Sequence, residues 1–313
     1  MKATNFNQTL PYAFLTLSTL FWGGNLIVGK LLVLNISPIL LTQIRWILTA
    51  AFLFLIYHKK IIKNWGNIKS SFAILCLLSL CGQVFFPLNL YISLQYTNPI
   101  NAAIYLSASP CLVIIINKLV FKDFVTVKSL FGIIISTFGV VYLIIKGDFF
   151  NLRQFFNLNI GDFWAMGSAL SWSIYCSFLR LKNKNISGNV FVTVSAIIAS
   201  VFLIPISFFY QFDLSFIQSS FSLYAFIGIL YLIIFPSWLA YLFWNKGIEA
   251  IGATRGEVFT HFIPLFSVLL SVIILKENLY HFQAISAIFI LIGIYFCSKK
   301  QNEKVLKIKE VKL

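Results

Sequence analysis

Long apolar segments alternate with short polar stretches along almost the whole chain. Each segment is bounded by charged residues or by helix-start residues such as Ser37-Pro38 and Asn98-Pro99. A helix that crosses a bilayer needs about 20 apolar residues, and lipid cannot satisfy the backbone groups of any open structure. The pattern therefore predicts an all-α integral membrane protein with ten transmembrane helices, at about 11–34, 38–57, 70–94, 98–121, 127–146, 161–181, 188–210, 219–245, 253–275 and 280–297.

The composition agrees with a membrane protein. Of the 313 residues, 59% are hydrophobic and 11% are charged, whereas a soluble domain is about half apolar and about a quarter charged. Ten spans leave only short loops and tails, with no room for a soluble domain. The cysteines fall inside apolar segments without any CxxC or metal-ligand spacing, which favours packing over redox or metal roles. They are Cys76, Cys81, Cys111, Cys176 and Cys297.

The positive charges lie at helix ends and in the C-terminal tail. The net charge is +15, but no basic soluble face exists that would favour nucleic acid. With the N-terminus placed in the cytoplasm, 19 of the 24 Lys and Arg residues fall on the cytoplasmic side, 4 on the outer side, and Arg45 inside a span. We therefore expect a multi-pass inner-membrane protein with cytoplasmic termini at 1–10 and 298–313, the latter anchored at anionic lipid.

An internal repeat divides the chain into 11–146 and 161–297, joined by an outer linker at 147–160. A shift of 150 residues matches the first span with the sixth, and a shift of 154 matches the fourth and fifth with the ninth and tenth. Because each half holds five helices, the second half must be inverted in the membrane, which is typical of transporters with a central site. The matches include Ser18 with Ser168, Trp22 with Trp172, Pro110 with Pro264, Lys122-Asp123 with Lys276-Glu277, and Gly139 with Gly293.

Motifs in both halves resemble those of the drug/metabolite transporter superfamily, in its EamA-type branch of ten-helix transporters. The resemblance covers about residues 10–297. It is carried by the Trp-Gly pattern at 20–30, by Arg45, by the run from Pro110 to Gly139, and by its repeat from Pro264 to Gly293. The resemblance implies two bundles around a central cavity, peripheral fifth and tenth helices, and transport of a metabolite or amino acid, often by export. It identifies no single substrate.

The charged and polar residues inside the spans are the candidates for the site, because such residues are costly in lipid. Arg45 either snorkels to the outer headgroups or contacts an anion or a partner inside the bundle. Glu257 either closes a capping box with Thr254 or faces the cavity. His261 is expected to face the cavity and to contact substrate or a proton, the alternative being a buried structural residue. The predicted lining is Trp22, Asn25, Arg45, Gln83, Tyr105, Ser107, Trp172, Tyr175, Trp238, Tyr241, Glu257 and His261.

The remaining candidates have a structural alternative as well. Trp22 and Trp172 occupy equivalent mid-span positions, where they either stack on a flat or cationic ligand or pack the core. The amides of Asn25 and Gln83 either line the cavity or join helices. Pro87 and Pro236 are expected to kink the middle helix of each half, as a hinge or as a fixed shape.

These features predict a secondary transporter that moves an amino acid or a related small metabolite by alternating access, with export as the expected direction. The alternative is a non-transporting membrane protein such as a receptor, an assembly factor or a membrane-embedded enzyme. No catalytic cluster, phosphate loop or dinucleotide motif is found, so no enzyme activity, cofactor or catalytic metal is expected. The expected partners are a small-molecule substrate and the bilayer, but no nucleic acid; proton coupling is left open, and so is the choice between monomer and homodimer.

Overall fold

A computed structural model of the chain describes residues 6–97, 102, 105–148, 159–209, 223–275 and 278–298, and the regular structure within these ranges is helical. Ten helical stretches correspond to the ten predicted spans. They are α1 (Phe6–Val33), α2 (Pro38–Lys63), α3 (Phe72–Tyr96), α4 (Ser109–Val120), α5 (Val127–Ile144), α6 (Ile160–Phe178), α7 (Gly188–Phe209), α8 (Leu223–Ile251), α9 (253–275) and α10 (His281–Ser298).

Six of the described helices are long and apolar enough to cross a membrane: α1, α2, α3, α5, α7 and α8. Helices α4 and α10 are shorter apolar helices. Helix α2 continues beyond the predicted end at residue 57 as far as Lys63, because no Gly or Pro interrupts it. A short helix, Trp65–Ser70, then occupies part of the stretch that was expected to be a loop. The predicted start at Asn98-Pro99 and the tail from residue 299 lie outside the described residues.

Capping residues fix the starts of two helices. The Oγ of Ser37 accepts a hydrogen bond from the Leu40 N–H at 3.3 Å, as predicted for α2. At α6 the cap is Asn159, and Asp162 closes a capping box by accepting from the Asn159 N–H at 2.8 Å. Asn159 is the cap because the chain is extended at this residue and becomes helical at the next one.

The packing of the ten helices follows the inverted repeat. Helix α1 packs against α8 and α9, and its counterpart α6 packs against α3 and α4. Helix α2 packs against its counterpart α7, and α5 packs against α10. Replacing each helix by its counterpart converts the two contacts of α1 into the two contacts of α6, and it leaves the pairs α2–α7 and α5–α10 unchanged. The chain is therefore an all-α membrane bundle of two inverted five-helix repeats.

Glycines bring the backbones of α5 and α10 together. A Cβ atom added to Gly132 would lie 2.6 Å from the carbonyl oxygen of Gly293, which is too close for any real side chain. A Cβ atom on Gly139 would lie 2.8 Å from the Cβ of Phe289. These close approaches join the last helix of each repeat, and within the described residues this pair contacts the rest of the bundle mainly through α9.

Both middle helices contain a wide turn of π-helix. The turn spans Leu80–Phe85 in α3 and Ile233–Leu239 in α8, at positions that the 154-residue shift makes equivalent. Pro87 lies two residues after the end of the first turn, and Pro236 lies inside the second. Because proline lacks an N–H, it leaves a carbonyl one turn earlier without its helical donor, and wide turns of this kind are frequent at functional sites.

Candidate functional site

A cluster of aromatic side chains lies where the two repeats meet. The rings of Trp22 on α1 and Trp172 on α6 are perpendicular, with centroids 4.9 Å apart. Tyr241 and Trp244 on α8 contact both tryptophans, and Tyr175 stacks on Trp172. Because Trp22 and Trp172 are equivalent in the repeat, their contact indicates that the pseudo-twofold axis passes close to them.

Hydrogen bonds around this cluster obey the repeat. The Oγ of Ser18 donates to the carbonyl of Ala240 at 2.9 Å, which joins α1 to α8. The Oγ of Ser168 donates to the carbonyl of Phe86 at 2.8 Å, which joins α6 to α3. Ser168 is the repeat counterpart of Ser18, and Ala240 is the repeat counterpart of Phe86.

In a second pair of equivalent hydrogen bonds, a Tyr and an Asn change places between the two repeats. The hydroxyl of Tyr91 on α3 donates to Oδ1 of Asn25 on α1 at 2.9 Å. The hydroxyl of Tyr175 on α6 donates to Oδ1 of Asn245 on α8 at 2.6 Å. Residue 25 corresponds to 175, and 91 corresponds to 245, so each repeat contributes one Tyr and one Asn in opposite order. Asn25 therefore joins helices, and Tyr91 and Asn245 belong to the candidate site although the sequence analysis missed them. The repeat shift itself was the signal that pointed to them.

The two central tryptophans differ in their hydrogen-bond acceptors. Nε1 of Trp22 donates to the carbonyl of Pro236 in the wide turn of α8 at 3.1 Å. The counterpart of that carbonyl, in Gly82, instead accepts from the hydroxyl of Tyr241. Nε1 of Trp172 donates to Oε1 of Glu257 at 2.9 Å. The symmetry of the site is thus broken by a carboxyl group.

Arg45 is buried inside the bundle, with 2% of its surface exposed, so the snorkelling interpretation is wrong. Its Nε donates to Oγ of Ser237 at 2.5 Å, and its Nη1 donates to the hydroxyl of Tyr91 at 2.8 Å. The face of α2 that carries Arg45 points towards α3 and α8, and the sequence alone did not reveal which face that is. Among the described residues, no carboxylate lies within ion-pair distance of the guanidinium.

Glu257 is fully buried, and the capping-box interpretation is wrong. Gly252, with φ of 83°, precedes the start of α9, and no side chain caps that start. Thr254 instead accepts a hydrogen bond at 3.0 Å from Asn117 on α4. Glu257 lies one turn inside α9, where its carboxyl group accepts a hydrogen bond from the indole of Trp172 instead of from the backbone at the helix start. Its second oxygen, Oε2, has no partner among the described residues.

His261 links the two repeats. Its Nε2 lies 2.9 Å from the carbonyl oxygen of Ser107, the residue that the repeat makes equivalent to it. The imidazole is fully buried, and its Nδ1 has no hydrogen-bond partner among the described residues. Ser107 is buried as well, whereas Tyr105 is only half-buried. A role of His261 with substrate or protons stays a prediction.

Gln83 and Trp238 lie at the edge of the candidate site. Gln83 is buried in the wide turn of α3, where its Oε1 accepts from Ser79 at 3.4 Å and its Nε2 has no described partner. Trp238 is half-buried and donates to Asn189 at 3.3 Å, with the ring of Phe52 beside it. The structure does not bring Trp238 into contact with the central tryptophans; the face of α8 that carries it points towards α2 and α7.

Two open spaces flank the packed centre. A vestibule of about 580 Å³ lies on the side predicted to be cytoplasmic; its lining includes Cys176, Arg180, Lys182 and Lys184. An apolar groove of about 640 Å³ runs along α1 and α8, next to Tyr231. Ten of the twelve predicted lining residues are buried and pack closely. The structure therefore represents a conformation in which the centre is closed.

Inverted five-helix repeats around a polar and aromatic centre define a membrane transporter of the ten-helix class. The chain belongs to the EamA-like transporter family, part of the drug/metabolite transporter superfamily, because the family model matches residues 9–145 and again residues 159–299. The two matched ranges correspond to the two five-helix repeats that the helix packing shows.

Individual relatives are similar to the chain over most of its length, and a solved structure shares its fold. The chain is 26% identical to the "Uncharacterized transporter YyaM" of Bacillus subtilis, over 92% of this chain and 93% of the relative. It is 25% identical to an "Uncharacterized transporter" of Archaeoglobus fulgidus, over 93% and 98% of the two chains. A solved structure described only as "Crystal structure of protein" shares the fold, with a TM-score of 0.68, 16% identity, and coverage of 91% of this chain and 95% of that one.

Proposed function

We propose that this protein is a secondary transporter that moves an amino acid or a related small metabolite across the inner membrane by alternating access, with export as the direction. The substrate site lies between the repeats, at Trp22, Trp172 and Tyr241, with Arg45 and Glu257 on either side of this aromatic cluster. No chemical step on the substrate is part of the proposal.

The observation that carries the proposal is the contact between Trp22 and Trp172 at the repeat interface. Groups beside a pseudo-twofold axis keep related surroundings when the two repeats exchange conformations, so a substrate bound there can be reached from either side in turn. The Tyr-Asn bonds and the wide turns of α3 and α8 repeat around the same axis. They supply two equivalent places where helices can bend.

The type of substrate follows from the side chains around the cluster. Indole and phenol rings offer flat apolar surfaces, Arg45 offers charged donors, and Glu257 offers an acceptor. A small molecule with one acidic group and an apolar or aromatic part would use both kinds of surface. Amino acids and their derivatives fit this description.

Thermal stabilisation of the purified protein by a panel of amino acids and related metabolites tests the site. A ligand that binds the native state raises the Tm as its concentration exceeds the Kd. We expect at least one member of the panel to stabilise wild type, and to stabilise Trp172→Phe less, because that variant lacks the indole N–H that holds Glu257.

The matched control is Trp164→Phe on the same helix, whose indole is 38% exposed on the outer surface of the bundle. Trp164→Phe should retain the full ligand-induced shift. If Trp172→Phe and Trp164→Phe respond alike to every ligand, the substrate does not bind at the repeat interface and the proposed site is wrong.

A further inference from the structure

We propose that Glu257 is the proton-binding site of this transporter, holding a proton as a neutral carboxylic acid in the closed conformation and releasing it into the vestibule when the protein opens to that side. The inference rests on the proposed function, since it assigns the coupling ion to the same central site.

The environment of Glu257 favours the neutral acid. The side chain is fully buried, accepts a hydrogen bond from Trp172 on Oε1, and has the thiol of Cys176 as its other polar neighbour. No Lys, Arg or His of the described residues lies within 4.0 Å of the carboxyl group as an ion-pair partner, and Oε2 has no acceptor or donor. A carboxylate can accept about four hydrogen bonds, and an unpaired buried charge is far more costly than a neutral acid. One indole hydrogen bond and the weak donor of a thiol cannot offset that cost.

The vestibule reaches to within one helical turn of the Trp172–Glu257 hydrogen bond, both along α6 and along α9. Cys176 lines the vestibule and lies four residues after Trp172 on α6. Ala253 lines it from the other side and lies four residues before Glu257 on α9. Residues four apart share a helix face, so the two lining residues lie directly below the hydrogen-bonded pair. A small separation of α6 from α9 would connect the carboxyl group to water.

The vestibule favours proton release through its charge. Arg180 and Lys184 lie at its mouth, and Lys182 forms an ion pair with Glu249 at 3.1 Å. Arg180 is paired with Asp123. Lys184 is the remaining positive charge of the lining, and it attracts hydroxide and buffer anions, which accept protons. In the release step the O–H bond of Glu257 breaks, the proton passes to water, and the carboxylate keeps the hydrogen bond from Trp172.

Other titratable or charged groups lie on the elements that pack around Glu257, and none of those described forms an ion pair with it. Cys176 is the neighbour on the vestibule side, and His261 lies one turn further along α9 with its Nε2 against Ser107. The full set on these elements is Tyr12 and Lys30 on α1, Cys111 and Lys118 on α4, Lys128 and Tyr142 on α5, Asp162, Tyr175 and Cys176 on α6, Arg255 and His261 on α9, and His281, Tyr295 and Cys297 on α10.

Infrared difference spectroscopy of the purified protein tests the protonation state without any substrate. At neutral pH the C=O stretch of a neutral carboxylic acid should be present in wild type, should be lost in Glu257→Gln, and should persist with a shifted frequency in Glu257→Asp. The matched control is Glu249→Gln, which removes an exposed, ion-paired carboxylate and should leave the band unchanged. A spectrum of Glu257→Gln that keeps the wild-type acid band would overturn the assignment.

Flux in proteoliposomes then tests coupling, with a metabolite that the thermal panel identifies. Wild type should accumulate it when a pH gradient is imposed, whereas Glu257→Gln should still exchange labelled for unlabelled metabolite but respond at least tenfold less to the gradient. His261→Gln, at the other titratable side chain of the site, distinguishes the two candidates, because it retains a donor for the Ser107 carbonyl. If Glu257 carries the proton, the ratio of gradient-driven flux to exchange stays as in wild type, whatever happens to the exchange rate itself. Loss of the response in His261→Gln alone would make His261 the proton carrier. Exchange in wild type without any gradient response would refute proton coupling and leave the proposed transport function standing.

Discussion

Arg45 shows how a residue inside the bundle can be held in place without a counter-charge among the residues that the structure describes. Its two bonded neighbours, Tyr91 and Ser237, donate onward to Asn25 and to the carbonyl of Leu232. Their hydroxyl oxygens are therefore free to accept from the guanidinium, which fixes its orientation. A buried cation of this kind is costly for stability, and the proposed binding of a ligand with negative charge would account for that cost.

Arg45→Met tests whether the guanidinium serves binding or folding. The substitution removes the buried charge, fills a similar volume, and leaves Tyr91 and Ser237 with their onward acceptors. We expect the Tm to stay within a few degrees of wild type, or to rise, while the shift caused by an acidic ligand is lost. Arg45→Lys should also lose affinity, because an ammonium lacks the planar fork of donors. A large loss of stability in Arg45→Met with ligand binding retained would make Arg45 a structural residue.

The exchanged Tyr-Asn bonds predict unequal costs for two matching substitutions. Tyr91→Phe leaves Nη1 of Arg45 without its acceptor, whereas Tyr175→Phe leaves only the neutral amide of Asn245. An unsatisfied buried group costs about 1–3 kcal/mol and more when it is charged. Chemical or thermal unfolding in detergent should therefore rank Tyr91→Phe as less stable than Tyr175→Phe. The control is Tyr224→Phe, at a residue that is 86% exposed; equal stability of all three variants would contradict the bonding described here.

At the scale of the element, the apolar runs were enough to predict ten helices and their order, because lipid permits only one local structure. Helix ends were predicted less well. The extension of α2 to Lys63 follows from the absence of a breaker, and the Thr254–Glu257 pattern failed because Asn117 and Trp172 contact those side chains from other helices. The wide turns at Pro87 and Pro236 carry no local signature beyond proline itself.

The glycines of α5 and α10 support a prediction at the same scale. Gly132→Val should separate the two helices, since its Cβ would collide with the carbonyl of Gly293 and with Sγ of Cys297 at 2.7 Å. Overpacking of this kind costs about 1–3 kcal/mol. The loss should appear as a lower Tm of the purified protein. Gly66→Val is the control, because nothing lies within 4 Å of its added Cβ; an equal loss in both variants would mean that α5 and α10 do not pack through Gly132.

At the scale of the whole molecule, the inverted repeat links sequence, packing and proposed function. The shifts of 150 and 154 residues predicted which helices correspond, and the helix pairs of the bundle follow that correspondence. The departures from symmetry, Arg45 and Glu257, could be seen in the sequence as charges inside spans. Their partners could not, because Ser237, Tyr91 and Trp172 come from helices far apart in the chain.

The orientation of the bundle is tested by labelling. In a background without the five native cysteines, a cysteine at Asn67, between α2 and α3, should resist an impermeant thiol reagent added to intact cells. It should react after the cells are opened, because the positive charges around it favour the cytoplasm. A cysteine near the end of α1, at Asn35, should react from outside. Labelling with the opposite pattern would reverse the topology and place the vestibule outside.

The central claim, that the repeat interface carries a small metabolite across the membrane, is tested most directly by counterflow in proteoliposomes. Vesicles containing the purified protein are loaded with an unlabelled metabolite from the stabilising panel and diluted into a trace of the labelled form. We predict transient accumulation of label in wild type and in Trp164→Phe, and at least tenfold less in Trp172→Phe. A folded, ligand-binding protein that shows no counterflow above empty vesicles would contradict transport, and it would favour a receptor or another non-transporting membrane protein.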